Sequence, residues 1–119
     1  MMNEDISPGI SQKPILGYWK MRGLAQPSRF LLAYLDVRFE DRYYELGAAP
    51  EYSIENWTSV RETLGLDFPE LPYLIDREVR LTEPQAIIKY LATQHGPPSM
   101  IGVTAEEKGY IEMLAEHTR

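Results

Sequence analysis

The strongest constraint on the fold is the order in which two hydrophobic periodicities alternate along the chain. "PILGYW" (14–19) is a short apolar run bounded by Pro and polar residues, which predicts a buried strand. "AQPSRFLLAYLD" (25–36) has its apolar positions at helical spacing, with Pro27 tolerated in the first turn. "RFEDRYYEL" (38–46) alternates as a second strand does. Strand, helix and strand in that order imply a βαβ unit with parallel strands and a right-handed crossover. After a looser stretch with a short helix in "SIENWTSVRETL" (53–64), "LPYLID" (71–76) and "EVRL" (78–81) read as two strands joined by a tight turn at Asp76 and Arg77. A helix over 83–95 follows, with Ala86, Ile87, Tyr90 and Leu91 on one face, and "HGPP" ends it.

The expected architecture is therefore an α/β domain, βαβ then ββα, on a mixed four-stranded sheet with one further C-terminal helix. Residues 1–13 read as a flexible polar extension, 14–95 as the domain and 96–103 as a linker. Residues 104–119 read as a last helix. Two capping boxes are expected, Thr82 with Gln85 and Thr104 with Glu107, each pairing a hydroxyl with an amide or carboxylate three residues on. Ile111, Leu114 and Ala115 form an apolar stripe on the last helix that needs a partner surface.

Composition narrows the function. With 119 residues, 44% of them hydrophobic and 25% charged, the chain has the make-up of one globular domain. The net charge of −6 and the lack of a basic run argue against nucleic acid as a partner. No apolar run is long enough to span a membrane, and the first residues resemble neither a signal nor a transit peptide, so a cytoplasmic protein or a member of an organelle-associated assembly is expected. The absence of cysteine removes disulfides, thiolate metal sites and redox chemistry by a protein thiol. Only His95 and His117 are present, each read as a surface residue near a helix end, so no metal site is expected.

"PILGYWKMRGLAQPSRFLLAYLD", "LGLDFPELPYLID" and "LTEPQAIIKYLATQHG", in this order, resemble the amino-terminal half of glutathione transferases, most of all the mu class. The resemblance covers 14 to about 116. It implies a thioredoxin-like domain that binds glutathione, followed by an all-helical domain of which this sequence would hold only the first helix. No cofactor is implied beyond glutathione as substrate or ligand.

Glutathione reacts as a thiolate, and its free pKa of about 8.5 leaves little anion at neutral pH. A hydrogen-bond donor aimed at the sulfur stabilises the anion. Tyr18 matches the family's donor; the alternative is a core aromatic with its hydroxyl at the surface. Leu71 and Pro72 match the pair whose cis peptide bond exposes backbone groups to the ligand's cysteinyl portion. Trp19, Trp57 and Arg61 match contacts to the glycyl end, though the tryptophans could equally be core and Arg61 a solvated charge.

At the ligand's other end the chain departs from the pattern. Glu83 and Pro84 stand where the mu class has Gln-Ser, whose serine grips the γ-glutamyl carboxylate; Glu83 alone is tolerable as a weak glutathione contact, since some other classes of the family carry Glu-Ser there, whereas Pro84 removes the serine's donors. Ile54 replaces an arginine and Glu70 an asparagine. Each lost charge-assisted hydrogen bond costs roughly 1.5 to 3 kcal/mol. Arg61 or Lys89 could supply a relocated contact, although the motif does not place either there. Phe68 matches the residue that inserts into a partner subunit in the mu class, and the alternative is that it folds back on its own loop.

Two functions compete. The one favoured at this stage is a non-catalytic structural or interaction subunit with weak or absent glutathione binding, meeting other protein subunits through Phe68 and the last helix. The other is an active glutathione transferase with Tyr18 as its thiolate donor, completed by a helical domain from another chain. A thioredoxin-type oxidoreductase is removed by the zero cysteine count.

Overall fold

The computed structural model describes residues 12–117. The expected extension over 1–13 therefore lies outside the described residues except for its last two positions, and so do residues 118 and 119 of the helix expected over 104–119. Four strands, β1 (Ile15–Trp19), β2 (Glu40–Tyr44), β3 (Tyr73–Asp76) and β4 (Val79–Thr82), form one sheet in the order β2-β1-β3-β4. β1 and β2 run parallel, while β3 is antiparallel to both β1 and β4. This is the βαβ-ββα order read from the sequence, in the thioredoxin-like arrangement that the resemblance implies. The helices are α1 (Gln26–Tyr34), α2 (Glu55–Thr58), α3 (Pro84–His95) and α4 (Ala105–His117).

The two faces of the sheet bury alternate residues, as the two-residue period of a strand requires. Leu16 and Tyr18 of β1 and Leu74 of β3 join Ala25, Leu32, Ile87 and Leu91 in one core under α1 and α3. Ile15 of β1 and Tyr73 and Ile75 of β3 face the other way, onto Tyr44 and Trp57. Leu16, Leu32, Leu74, Ile87 and Leu91 are wholly shielded from solvent, and burial of each such side chain is worth about 1.5 to 3 kcal/mol. On the second face the Trp57 ring stacks on Tyr73 at 5.8 Å and meets Tyr44 edge-on at 5.2 Å. The Tyr44 and Tyr73 hydroxyls share a 2.6 Å hydrogen bond, which satisfies two polar atoms that would otherwise be buried alone. Gly17 makes this cluster possible, since a Cβ there would lie 2.2 Å from the Tyr73 ring.

Several expectations shift by a few residues for identifiable reasons. α1 is preceded by a 3₁₀ turn, Gly23–Ala25, and carries Pro27 in its first turn. Residues 53–64 form two pieces, α2 and a 3₁₀ turn at Arg61–Thr63. The β3–β4 hairpin turns at Arg77 and Glu78, with Arg77 left-handed at φ of 59°, one position later than the expected Asp76 and Arg77 because Asp76 stays in β3. On α3 the buried face is Ile87, Leu91 and Ala92, with Tyr90 half-buried and Ala86 exposed. The linker contains a 3₁₀ turn, Pro98–Ile101.

The first capping box does not form. Thr82 is the last residue of β4, paired with Tyr73 and buried, so Glu83 becomes the N-cap of α3 with no side-chain hydrogen bond. The second box does form: Glu107 N–H donates to Thr104 Oγ1 at 3.1 Å, and Glu107 Oε1 accepts from the Val103 and Thr104 N–H groups. It starts α4, a helix with no buried residue. Lys89 on α3 and Glu112 on α4 form an ion pair that ties this helix to the domain.

Candidate functional site

The sheet register gathers the sequence-predicted residues at one end of the molecule. Gly17 pairs with Tyr73 across β1 and β3, and Tyr73 pairs with Thr82 across β3 and β4. Continuing both ladders by one residue sets Tyr18, Pro72 and Glu83 in a row. Trp19 is the last residue of β1 and pairs with Tyr44, the last of β2. The row therefore lies at the carboxyl ends of the two parallel strands, the end at which open α/β sheets hold their ligands.

Tyr18 is only 7% exposed and belongs to the core cluster through its ring. Its hydroxyl oxygen accepts the Leu24 N–H at 3.2 Å, at the entrance to α1. A hydroxyl that accepts one hydrogen bond keeps its own proton to donate. Gly23, with φ of 45°, makes room for it, because a Cβ at that position would stand 2.5 Å from the Tyr18 oxygen. The core and donor readings of Tyr18 are thus compatible: the ring is buried, and among the described residues the hydroxyl accepts one hydrogen bond and donates none.

The Leu71–Pro72 peptide bond is cis, as the resemblance implies, and Ala49–Pro50 is a second cis bond. Pro72 is fully buried and Leu71 half-buried beside both core clusters. Trp19 is half-buried and lines a cleft of about 260 Å³ with Lys20, Met21, Tyr44, Glu45 and Leu46. Lys20 and Glu45 face one another across it at 3.8 Å. Trp57 is 4% exposed and locked in the aromatic cluster, which places most of its ring in the core. Arg61 is half-exposed, with its nearest carboxylate, Glu62, at 3.6 Å. The departed positions Ile54 and Glu70 are both exposed, with Ile54 just ahead of α2. Glu83 is exposed, with φ of 77°, and Pro84 opens α3. Phe68 is 72% exposed.

The residues over 14–93 match the family model of the glutathione S-transferase N-terminal domain. This chain belongs to the glutathione S-transferase family. Its curated relatives include glutathione S-transferase Mu 1 of Oryctolagus cuniculus, 50% identical over 83% of this chain and 44% of that protein. Glutathione S-transferase 2 of Gallus gallus is 46% identical over 86% of this chain and 45% of its own length. Among solved structures, the glutathione S-transferase Blo t 8 superposes with a TM-score of 0.76 at 38% identity, covering 87% of this chain and 44% of that one. The chain thus spans a little under half the length of the glutathione S-transferases it matches.

One cluster was not visible in the glutathione S-transferase motif. Asp76, 2% exposed at the far end of β3, accepts from the Tyr90 hydroxyl at 2.7 Å and from His95 Nε2–H at 3.0 Å. His95 is not the surface residue that its place at a helix end suggested, since its side chain is 21% exposed and partnered. The signal available in the sequence was the lone acid ending an otherwise apolar strand, because a carboxylate buried there requires partners.

Proposed function

We propose that this chain is a glutathione-transferase-type domain used mainly for assembly with other protein subunits, with glutathione held weakly or not at all. The observation that carries the reading is the start of α3. Pro84 has no N–H to offer an incoming carboxylate, and the exposed Glu83 carboxylate stands beside it in the row with Tyr18 and Pro72. A helix N-terminus ordinarily favours an anion through free N–H groups and its dipole. Here one donor is missing and a like charge is added. Ile54 and Glu70 offer no compensating cation. Two lost charge-assisted bonds, at roughly 1.5 to 3 kcal/mol each, weaken a ligand by about a hundredfold or more.

Assembly is favoured by the exposed Phe68 and by Tyr110, Ile111, Met113 and Leu114 of α4, all open to solvent. Exposed apolar side chains of this kind are suited to protein contacts. In this reading the protein works in the cytoplasm or in an organelle-associated assembly.

A second reading, an active transferase completed by a helical domain from another chain, is favoured by Tyr18. Its hydroxyl proton sits at the ligand end of β1, where a thiolate would take it as a hydrogen bond. Calorimetry with glutathione on the unmodified chain and on Pro84→Ser separates the two. Undetectable or millimolar binding, with a gain on restoring the serine, is the expected result. Micromolar binding by the unmodified chain would overturn the assembly reading of the site.

A further inference from the structure

At the end of the sheet opposite Tyr18 there is a second cavity, of about 450 Å³, whose lining includes Lys13, Val37, Arg38, Asp76, Arg77 and His95. The ladders place it there: Ile15 pairs with Ile75 and Asp76 with Val79, so the start of β1, the end of β3 and the β3–β4 turn meet at this pole. The volume lies in the range of small-ligand pockets.

The charge of this lining runs against that of the chain. The whole protein carries −6, yet Lys13, Arg38 and Arg77 bring three fixed positive charges to one cavity. Asp76 is the single carboxylate among the lining residues. It is committed to Tyr90, to His95 and, at 3.7 Å, to Arg77. Lys13 and Arg38 have no ion pair among the described residues. Lys13 and Arg38 thus lack, among the described residues, the carboxylates that elsewhere neutralise such groups, as Asp41 does for Arg29 and Glu40 for Arg42. Three cations against one anion leave a local excess of two, the charge of a phosphate monoester. Arginine guanidinium groups present two parallel donors that match phosphate oxygens.

We infer that this pole is a second ligand site, distinct from the glutathione end, which takes a small soluble phosphate monoester. Arg38 and Arg77 grip the phosphate, Lys13 adds a point charge, and Asp76 fixes the His95 ring that forms one wall. The cavity is larger than a bare phosphate, which leaves room for the organic part of the ligand. The site does not depend on whether Tyr18 acts.

The test is a titration followed by amide NMR, with inorganic phosphate and glycerol 3-phosphate as probes and chloride at matched ionic strength as the control. Saturable shifts confined to Val37, Arg38, Arg77 and His95, stronger with the monoester and absent with chloride, are expected. Arg38→Gln combined with Arg77→Asn is expected to weaken binding by roughly tenfold or more, asparagine being among the side chains that accept the positive φ at that turn. Tyr18→Phe should leave the affinity unchanged. Shifts scattered over surface cations, or a folded double variant that binds as the unmodified chain does, would overturn the assignment. Should the double variant fail to fold, the shift map of the unmodified chain decides alone. Pelleting with phosphatidic-acid vesicles without a response to either soluble probe would also overturn it, in favour of a lipid surface.

Discussion

Replacing Gly17 by alanine tests whether the aromatic cluster under the sheet is as tightly built as the geometry indicates. The new Cβ would lie 2.2 Å from Tyr73 Cε2, 2.3 Å from Cζ and 2.8 Å from Cδ2. Ordinary carbon contacts are about 3.5 to 4.0 Å, so the ring must retreat by more than an ångström. It has nowhere to go: Tyr73 is wholly buried, Trp57 stacks on it, and its hydroxyl is held by Tyr44. Overpacking alone costs about 1 to 3 kcal/mol, and disturbing a buried hydroxyl pair adds about 1 kcal/mol or more. The expected loss is therefore about 3 kcal/mol, a large share of a typical domain's 5 to 15 kcal/mol. Urea unfolding followed by tryptophan fluorescence measures it, since Trp57 is part of the cluster. The control is Gly17→Ala in a Tyr73→Leu background, where the smaller side chain leaves space for the methyl group. The coupling between the two sites should be at least about 1 kcal/mol. A loss below about 1 kcal/mol in the single variant, or additive losses in the pair, would refute the argument that this ring is what requires glycine.

Two further outcomes are expected. Leu91→Ala should destabilise the domain by about 2 to 5 kcal/mol, because Leu91 is wholly buried between α3 and the sheet; a loss under about 1 kcal/mol in the same unfolding assay would show that this core is loosely filled. The Val103 and Thr104 N–H groups donate to Glu107 and hold its carboxyl below the ordinary 4.5. A depressed carboxyl stabilises the helix start fully above its ordinary value and ceases to do so as pH falls through the lowered one. The first-turn amides of α4 should therefore lose protection, measured against the intrinsic exchange rate at each pH, on acidification from about pH 6 to pH 3, and unchanged protection factors would count against the capping role.

The sequence order made the sheet and its helices legible because each element carries its own period and its own punctuation. Where the sequence misled, the deciding contact was remote. Thr82 and Gln85 have the local spacing of a cap, but Thr82 belongs to a ladder with Tyr73, nine residues earlier, and the ladder wins because it buries the hydroxyl-bearing residue at the sheet's end. His95 looked solvated because its partner, Asp76, is nineteen residues away. The cis bond at Leu71–Pro72 and the exposure of Phe68 followed the family resemblance. The resemblance said nothing of the cationic pole, because Lys13, Arg38 and Arg77 are spread over three segments that only the fold brings together.

The strand order also decides how such a domain escapes unwanted pairing with itself. Among the described residues β2 is an outer strand of the sheet, and its sequence, "EDRYY", opens with three charged residues. A second copy laid against that edge would have to strip water from charged side chains whose ion pairs, Asp41 with Arg29 and Glu40 with Arg42, are already satisfied within the chain. β4, at the other border, is only four residues long, and its Arg80 is tied back to the Leu64 carbonyl at 3.0 Å. Ribbon-to-ribbon stacking, the route to insoluble fibres, is thus discouraged at both borders.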